Sequence, residues 1–132
     1  MIALLDTHSF LWAIATPEKL SAKVRKIIVD PTHEIHISTI SFWEISLKFA
    51  LGKLDLVGCM PEDLIVVAQD MGLGITSPTP NESATFHHLP KRAHKDPFDR
   101  MLIWQCLQRQ WAFISKDDAL SDYEALGLTT LW

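Results

Sequence analysis

Ile2-Ala3-Leu4-Leu5 is an unbroken apolar run without alternation, the pattern of a strand buried on both faces of a parallel sheet. Phe10, Leu11, Trp12 and Ile14 predict a short helix after it. A second helix is predicted over 21–29, with Val24, Ile27 and Ile28 on one face and most of the lysines elsewhere. Asp30-Pro31-Thr32 is a turn. Ile35-His36-Ile37-Ser38 reads as a second strand, followed by a helix over 40–51 that stops at Gly52. Another helix is predicted over 60–71, opened by Pro61 and two acids and closed by Gly72. Ile75-Thr76 reads as a short third strand and 80–89 as a modest helix. A basic loop, 90–95, leads to a helix from Pro97 to about Gln110. A fourth strand over 111–115, a short helix from Ala119 and an edge strand over 129–132 complete the pattern. Strands alternating with helices predict an α/β fold on a parallel sheet, one domain over 1–132.

At 132 residues and 48% hydrophobic composition the chain can bury a core of its own. The net charge of −4 excludes a surface that attracts nucleic acid as a whole, so any such contact needs a local patch. Cys59 and Cys106 form no disulfide framework, and the six histidines show no zinc spacing with cysteine. The apolar start ends at Asp6, too short for a signal peptide or a membrane span, so a cytoplasmic protein without membrane attachment is expected.

Four carboxylates stand where chemistry is expected in such a sheet, outside the carboxyl ends of the strands. Asp6 follows the first strand, Asp117 follows the fourth, and Asp99 lies in the first turn of the helix feeding the fourth. Glu44 shares an apolar stripe with Ile40, Leu47 and Leu51. Each acid also has an ordinary structural reading. Asp6 and Asp117 suit helix caps, with Asp118 a second candidate beside Asp117. Glu44 suits an ion pair with Lys48 four residues on. In Asp96-Pro97-Phe98-Asp99, Pro97 suits the first helical position, Asp96 the cap and Asp99 the first turn. Read jointly, clustered carboxylates repel, and a hard divalent cation relieves that cost. Mg²⁺ or Mn²⁺ held by oxygen ligands points to phosphoryl chemistry. No nucleophilic serine, phosphate-binding glycine loop or dinucleotide fingerprint is present, the five glycines being scattered.

Four short motifs, in this order and spacing, resemble the PIN-domain ribonucleases of the VapC toxin type. They are Leu4-Leu5-Asp6-Thr7-His8 with Leu11-Trp12; 38–44, continuing to Ala50-Leu51-Gly52-Lys53-Leu54; Asp96-Pro97-Phe98-Asp99-Arg100 with Leu102-Ile103; and Ser115-Lys116-Asp117. The resemblance covers nearly the whole chain and puts the family's acidic quartet on Asp6, Glu44, Asp99 and Asp117. Thr7 and Ser38 fall on its hydroxyl companions, and Ser115 stands where the family usually has Thr. It implies a five-stranded parallel sheet, RNA cleavage by a water activated on Mg²⁺ or Mn²⁺, a homodimer and a cognate antitoxin. Asp96 is expected to support the site. Lys91, Arg92, Lys95 and Arg100, with His94, cluster beside Asp99 in sequence and are the candidate RNA-backbone contacts. Phe10, Trp12, Trp43 and Trp104 are expected in the core rather than under bases, with the helix over 10–14 partly exposed for a partner. Competing readings are a Mg²⁺-dependent phosphatase on a similar sheet, disfavoured because no second acid follows Asp6 two residues on, and a non-catalytic nucleic-acid-binding module.

Overall fold

The computed structural model describes residues 1–92 and 96–132. Its strands are β1 (Ile2–Leu5), β2 (Glu34–Ser38), β3 (Gly74–Thr76), β4 (Ala112–Ile114) and β5 (Thr129–Leu131). They form one wholly parallel sheet in the order β3-β2-β1-β4-β5. The first strand of the chain is thus the central one, with Ala3 paired to both Ile35 and Ala112. That position explains its continuous apolar run, since Ala3, Leu4 and Leu5 have no solvent exposure.

Side chains alternate across a strand, so β1 feeds two cores. Leu5 packs with Phe10, Val24, Ile37, Ile45, Leu64 and Ile114 on one face. Leu4 packs with Leu102, Ile103, Phe113 and Tyr123 on the other. Full burial of each leucine is worth about 1.5–3 kcal/mol. The first face is covered by α1 (Thr7–Ala15), α2 (Ala22–Val29), α3 (Thr39–Ala50) and α4 (Asp63–Asp70). The second is covered chiefly by α6 (Pro97–Arg109), with α5 (Pro80–Thr85) beside its far end and α7 (Ser121–Glu124) after a 3-10 turn at Asp118–Leu120.

Helix ends follow their local chemistry. Ser21 caps α2 by accepting from Val24 N, and Thr79 and Glu82 form a reciprocal capping box on α5. Helix α6 begins at Pro97 and ends against Gln110 in the left-handed region, φ 57°. Two expected helices are shorter than predicted. Asp63 Oδ2 accepts from Met60 N, so the chain turns at 60–62 and α4 starts only at Asp63. The segment over 80–89 divides into α5 and a 3-10 turn at Phe86–His88.

Burial corrects two expectations. The inward face of α3 carries Ser41, Glu44 and Ile45, whereas Leu47 and Leu51 are exposed. Trp43 is 60% exposed and meets Phe98 edge-on at 5.2 Å, so it is no core residue. Phe10 and Trp104 are buried as expected, and Trp12 is half-buried against Trp132. Helix α1 does leave Leu11, Trp12 and Ile14 partly exposed. No helix among the described residues is long and apolar enough to cross a membrane.

Candidate active site

The loops after β1 and β4 lie side by side because Asp6 N donates to Ile114 O at 3.0 Å, extending the ladder one step past β1. Asp6 is 7% exposed, and its Oδ1 accepts from Ser9 N at 2.7 Å, capping α1. On the neighbouring loop, Ser115 Oγ accepts from Asp117 N at 3.2 Å. Asp117 Oδ1 in turn accepts from Ala119 N at 2.9 Å and caps the 3-10 turn. The start of α6 faces both. Asp96 Oδ1 accepts from Phe98 N at 2.8 Å and Asp99 N at 3.4 Å, which makes Asp96 the cap and leaves Asp99 in the first turn. Asp6, Asp99 and Asp117, with Asp118, His8, Trp12 and Lys116, line one cleft of about 430 Å³. A capping bond uses one carboxylate oxygen and leaves further acceptor capacity, so capping does not bar Asp6 or Asp117 from holding a ligand.

Glu44 departs from this grouping. It is 2% exposed on the inward face of α3 and lines a neighbouring cavity of about 250 Å³ with Thr7, His8, Lys48 and Lys53. Thr7 Oγ1 lies 2.7 Å from Glu44 Oε1 and 2.9 Å from Ser41 Oγ. A hydroxyl has one proton, so Thr7 donates to the carboxylate and accepts from Ser41. Lys48 Nζ forms an ion pair with Glu44 Oε2, as its spacing predicts. Burial pulls the Lys48 ammonium downward, but the bond and charge of Glu44, followed by the charges of Asp96 and Asp99, raise its pKa overall. Lys48 therefore remains a cation. The dipeptide Asp6-Thr7 spans the two cavities, with the acid in one and the hydroxyl in the other.

Other expected residues fall differently. Ser38 Oγ accepts from Ile40 N at 3.1 Å and donates to Gln105 Oε1 at 2.8 Å. It ties β2 to α6 and lines neither cavity. Arg100, a candidate RNA contact, is bonded to the backbone at Leu89 and Pro90. Its Nη2 donates to Leu89 O at 3.0 Å and Pro90 O at 3.1 Å, with the guanidinium over Phe86. Lys91 is exposed, and Arg92 is half-buried with Nη1 donating to Lys91 O. Lys95 and His94 lie outside the described residues. Sequence reasoning passed over His8, Lys116 and Ser41. His8 stands two residues after Asp6 and Lys116 directly before Asp117, which was the available signal, whereas Ser41 declares itself only through packing.

Among the described residues, no three His, Cys, Asp or Glu side chains stand close enough together to hold one ion as arranged. Mg²⁺ does not need such a trio, since it keeps several waters and binds through one or two carboxylates. The all-oxygen donors of Asp6, Asp99 and Asp117 on one cleft suit it.

A family model described as PIN domain matches residues 3–126. The chain belongs to the PIN-domain family. Over 130 residues, 98% of this chain and 97% of the relative, it is 27% identical to Ribonuclease VapC22 of Mycobacterium tuberculosis. The structure of VapBC2 from Rickettsia felis bound to a promoter DNA fragment superposes with a TM-score of 0.71 at 14% identity, covering 100% of this chain and 99% of that one. VapBC-1 from nontypeable Haemophilus influenzae gives 0.63 at 16%, covering 99% and 97%. At these identities the structural likeness shows the PIN fold alone, a parallel sheet flanked by helices.

Proposed function

We propose that this PIN domain is a Mg²⁺- or Mn²⁺-dependent endoribonuclease, the toxin of a type II toxin–antitoxin pair. The observation that carries the reading is the convergence of Asp6, Asp99 and Asp117, from three separate elements, on one cleft at the carboxyl end of the sheet. The 27% relative named a ribonuclease supports RNA as the substrate, and VapBC complexes among the structural neighbours support an antitoxin partner. A homodimer in the cytoplasm is part of the same proposal.

Asp6, Asp99 and Asp117 would hold the ion, with Glu44 supporting them through Thr7. When bound, the ion supplies charge that polarises a phosphate oxygen and lowers the pKa of a water. The chain's own residues do the rest. Buried Asp6 is fixed by its cap, so its second oxygen needs no reorganisation to serve as a ligand. Thr7 holds the Glu44 carboxylate, and Lys48 balances its charge. Lys116 places a cation on the acid cleft. Lys91 and Arg92, beside the loop that Arg100 anchors, contact the RNA backbone. In-line attack by water leaves 5′-phosphate and 3′-hydroxyl ends.

The test is cleavage of a defined RNA by purified protein with Mg²⁺ or Mn²⁺, with and without EDTA, and with a phosphomonoester as control. Chelation should stop cleavage and the phosphomonoester should survive. RNA cleavage that persists after thorough chelation refutes the metal mechanism.

A further inference from the structure

We infer that the turn closing α3 is a second phosphate subsite, which takes a phosphodiester flanking the scissile one in the RNA strand. The inference rests on the ribonuclease reading above. Gly52 adopts φ +70°, and the chain doubles back with Gly52 N donating to Phe49 O at 3.1 Å and Lys53 N to Lys48 O at 2.8 Å. This pair of bonds defines a Schellman turn. Such a turn commonly seats an apolar contact between the two residues joined by its longer bond. Here those two positions are Lys48 and Lys53. Lysines at both positions forgo that apolar contact, and local rules are broken in this way chiefly at functional sites.

Both lysines line the cavity of about 250 Å³, together with Thr7, His8 and Glu44. His8 also lines the acid cleft, so the two cavities adjoin. Their charges are opposite. In the lysine cavity the Glu44 carboxylate faces any anion, but Lys48 is already paired with it. Exposed Lys53 leaves a net charge of about +1, which matches one phosphodiester. The acid cleft has four aspartates against Lys116 and repels a phosphate unless a cation intervenes. A strand passing His8 would therefore present one phosphate to the acids and an adjacent one directly to Lys53.

Lys53 is the residue to change, because removing Lys48 would strand the buried Glu44 carboxylate. Binding of a fluorescein-labelled single-stranded RNA oligomer in EDTA is measured across a salt series for wild type, Lys53→Ala and Lys53→Arg. Each phosphate contact contributes about 0.7 to the slope of log affinity against log salt, so Lys53→Ala should flatten the slope by about 0.7 and Lys53→Arg should restore it. With Mg²⁺, kcat/KM on the oligomer should fall severalfold in Lys53→Ala, while a dinucleoside monophosphate, which has no flanking phosphate, should be cut as by wild type. If the dinucleoside is not a substrate, the salt slope decides alone. An unchanged slope, an equal loss on both substrates, or a lowered melting temperature overturns the subsite. Wild-type protein that neither binds nor cleaves RNA overturns the ribonuclease reading itself, a result distinct from an active enzyme indifferent to Lys53.

Discussion

Asp96 and Asp99 stand three residues apart at the start of α6, and their substitutions should fail in different ways. Asp96 Oδ1 accepts from two backbone N–H groups, a good bond to Phe98 N and a long one to Asp99 N. Asp96→Ala leaves those donors to water at a half-buried helix start and should cost about 1 kcal/mol, a typical cap loss. Unfolding entropy near 2.1 cal/mol/K per residue gives this 132-residue chain about 0.28 kcal/mol/K, so the melting temperature should fall by about 3–4 °C. Asp99→Asn keeps shape and hydrogen bonding and loses the charge. The lost attraction to the helix N-terminus, about 0.3–1 kcal/mol, is offset by relief of repulsion from Asp6 and Asp117, so melting should shift by less than about 2 °C. The assays are thermal melting by circular dichroism in EDTA and RNA cleavage in Mg²⁺. Asp96→Ala should melt early and retain most of its activity at a temperature where it is folded. Asp99→Asn should melt normally and be inactive. An inactive but fully stable Asp96→Ala beside an active Asp99→Asn would reverse the assignment.

Arg109→Ala breaks an ion pair with Glu82, which is 5% exposed, and should cost about 3 kcal/mol by urea denaturation at neutral pH. Burial pushes the Glu82 carboxyl up, but the Arg109 and Thr79 hydrogen bonds outweigh it and hold the pKa below its usual value. The stability from this pair is therefore complete above the ordinary Glu range and is lost as pH falls through the lowered folded value. The gap between wild type and Arg109→Ala should narrow at acid pH, and a gap independent of pH would refute that account. Gly52→Ala meets no atom within 4 Å, so it should cost only the left-handed backbone strain, about 1–2 kcal/mol by melting. Asp6→Asn should retain the α1 cap and fold while losing cleavage, whereas a folded and fully active variant would remove Asp6 from the site. Expression of soluble, active protein alone in a bacterium should arrest growth, and normal growth would count against the toxin role.

Much of the architecture was legible because local signals agreed with the tertiary outcome. The apolar run of β1 announces a strand covered on both faces, and Asp96-Pro97 announces a capped helix, both of which the fold realises. The faces of α3 were misread because apolar residues run round much of that helix. Periodicity cannot tell which stripe faces inward, and the polar stripe of Ser41, Glu44 and Lys48 proved to be the one packed against α1. The exposure of Trp43 follows from the same rotation. Arg100 looked like a surface cation, since nothing in the sequence reveals that two loop carbonyls lie within its reach. The separation of Glu44 from the three aspartates likewise depends on how α1 and α3 pack.

The central position of β1 sets a timetable for the nascent chain. Its pairing with β4 joins Leu5 to Ile114, and the contact from Ser9 Oγ to Ile114 O bridges 105 residues, so one edge of β1 stays open while nearly the whole sheet's sequence is still being translated. Pairing that must wait for so distant a segment is slow and late. A polypeptide interrupted before α6 would have Asp6 and Glu44 but neither Asp99 nor Asp117. A fragment that ends before α6 therefore has no aspartate cleft at all, because the cleft is assembled from segments at opposite ends of the chain.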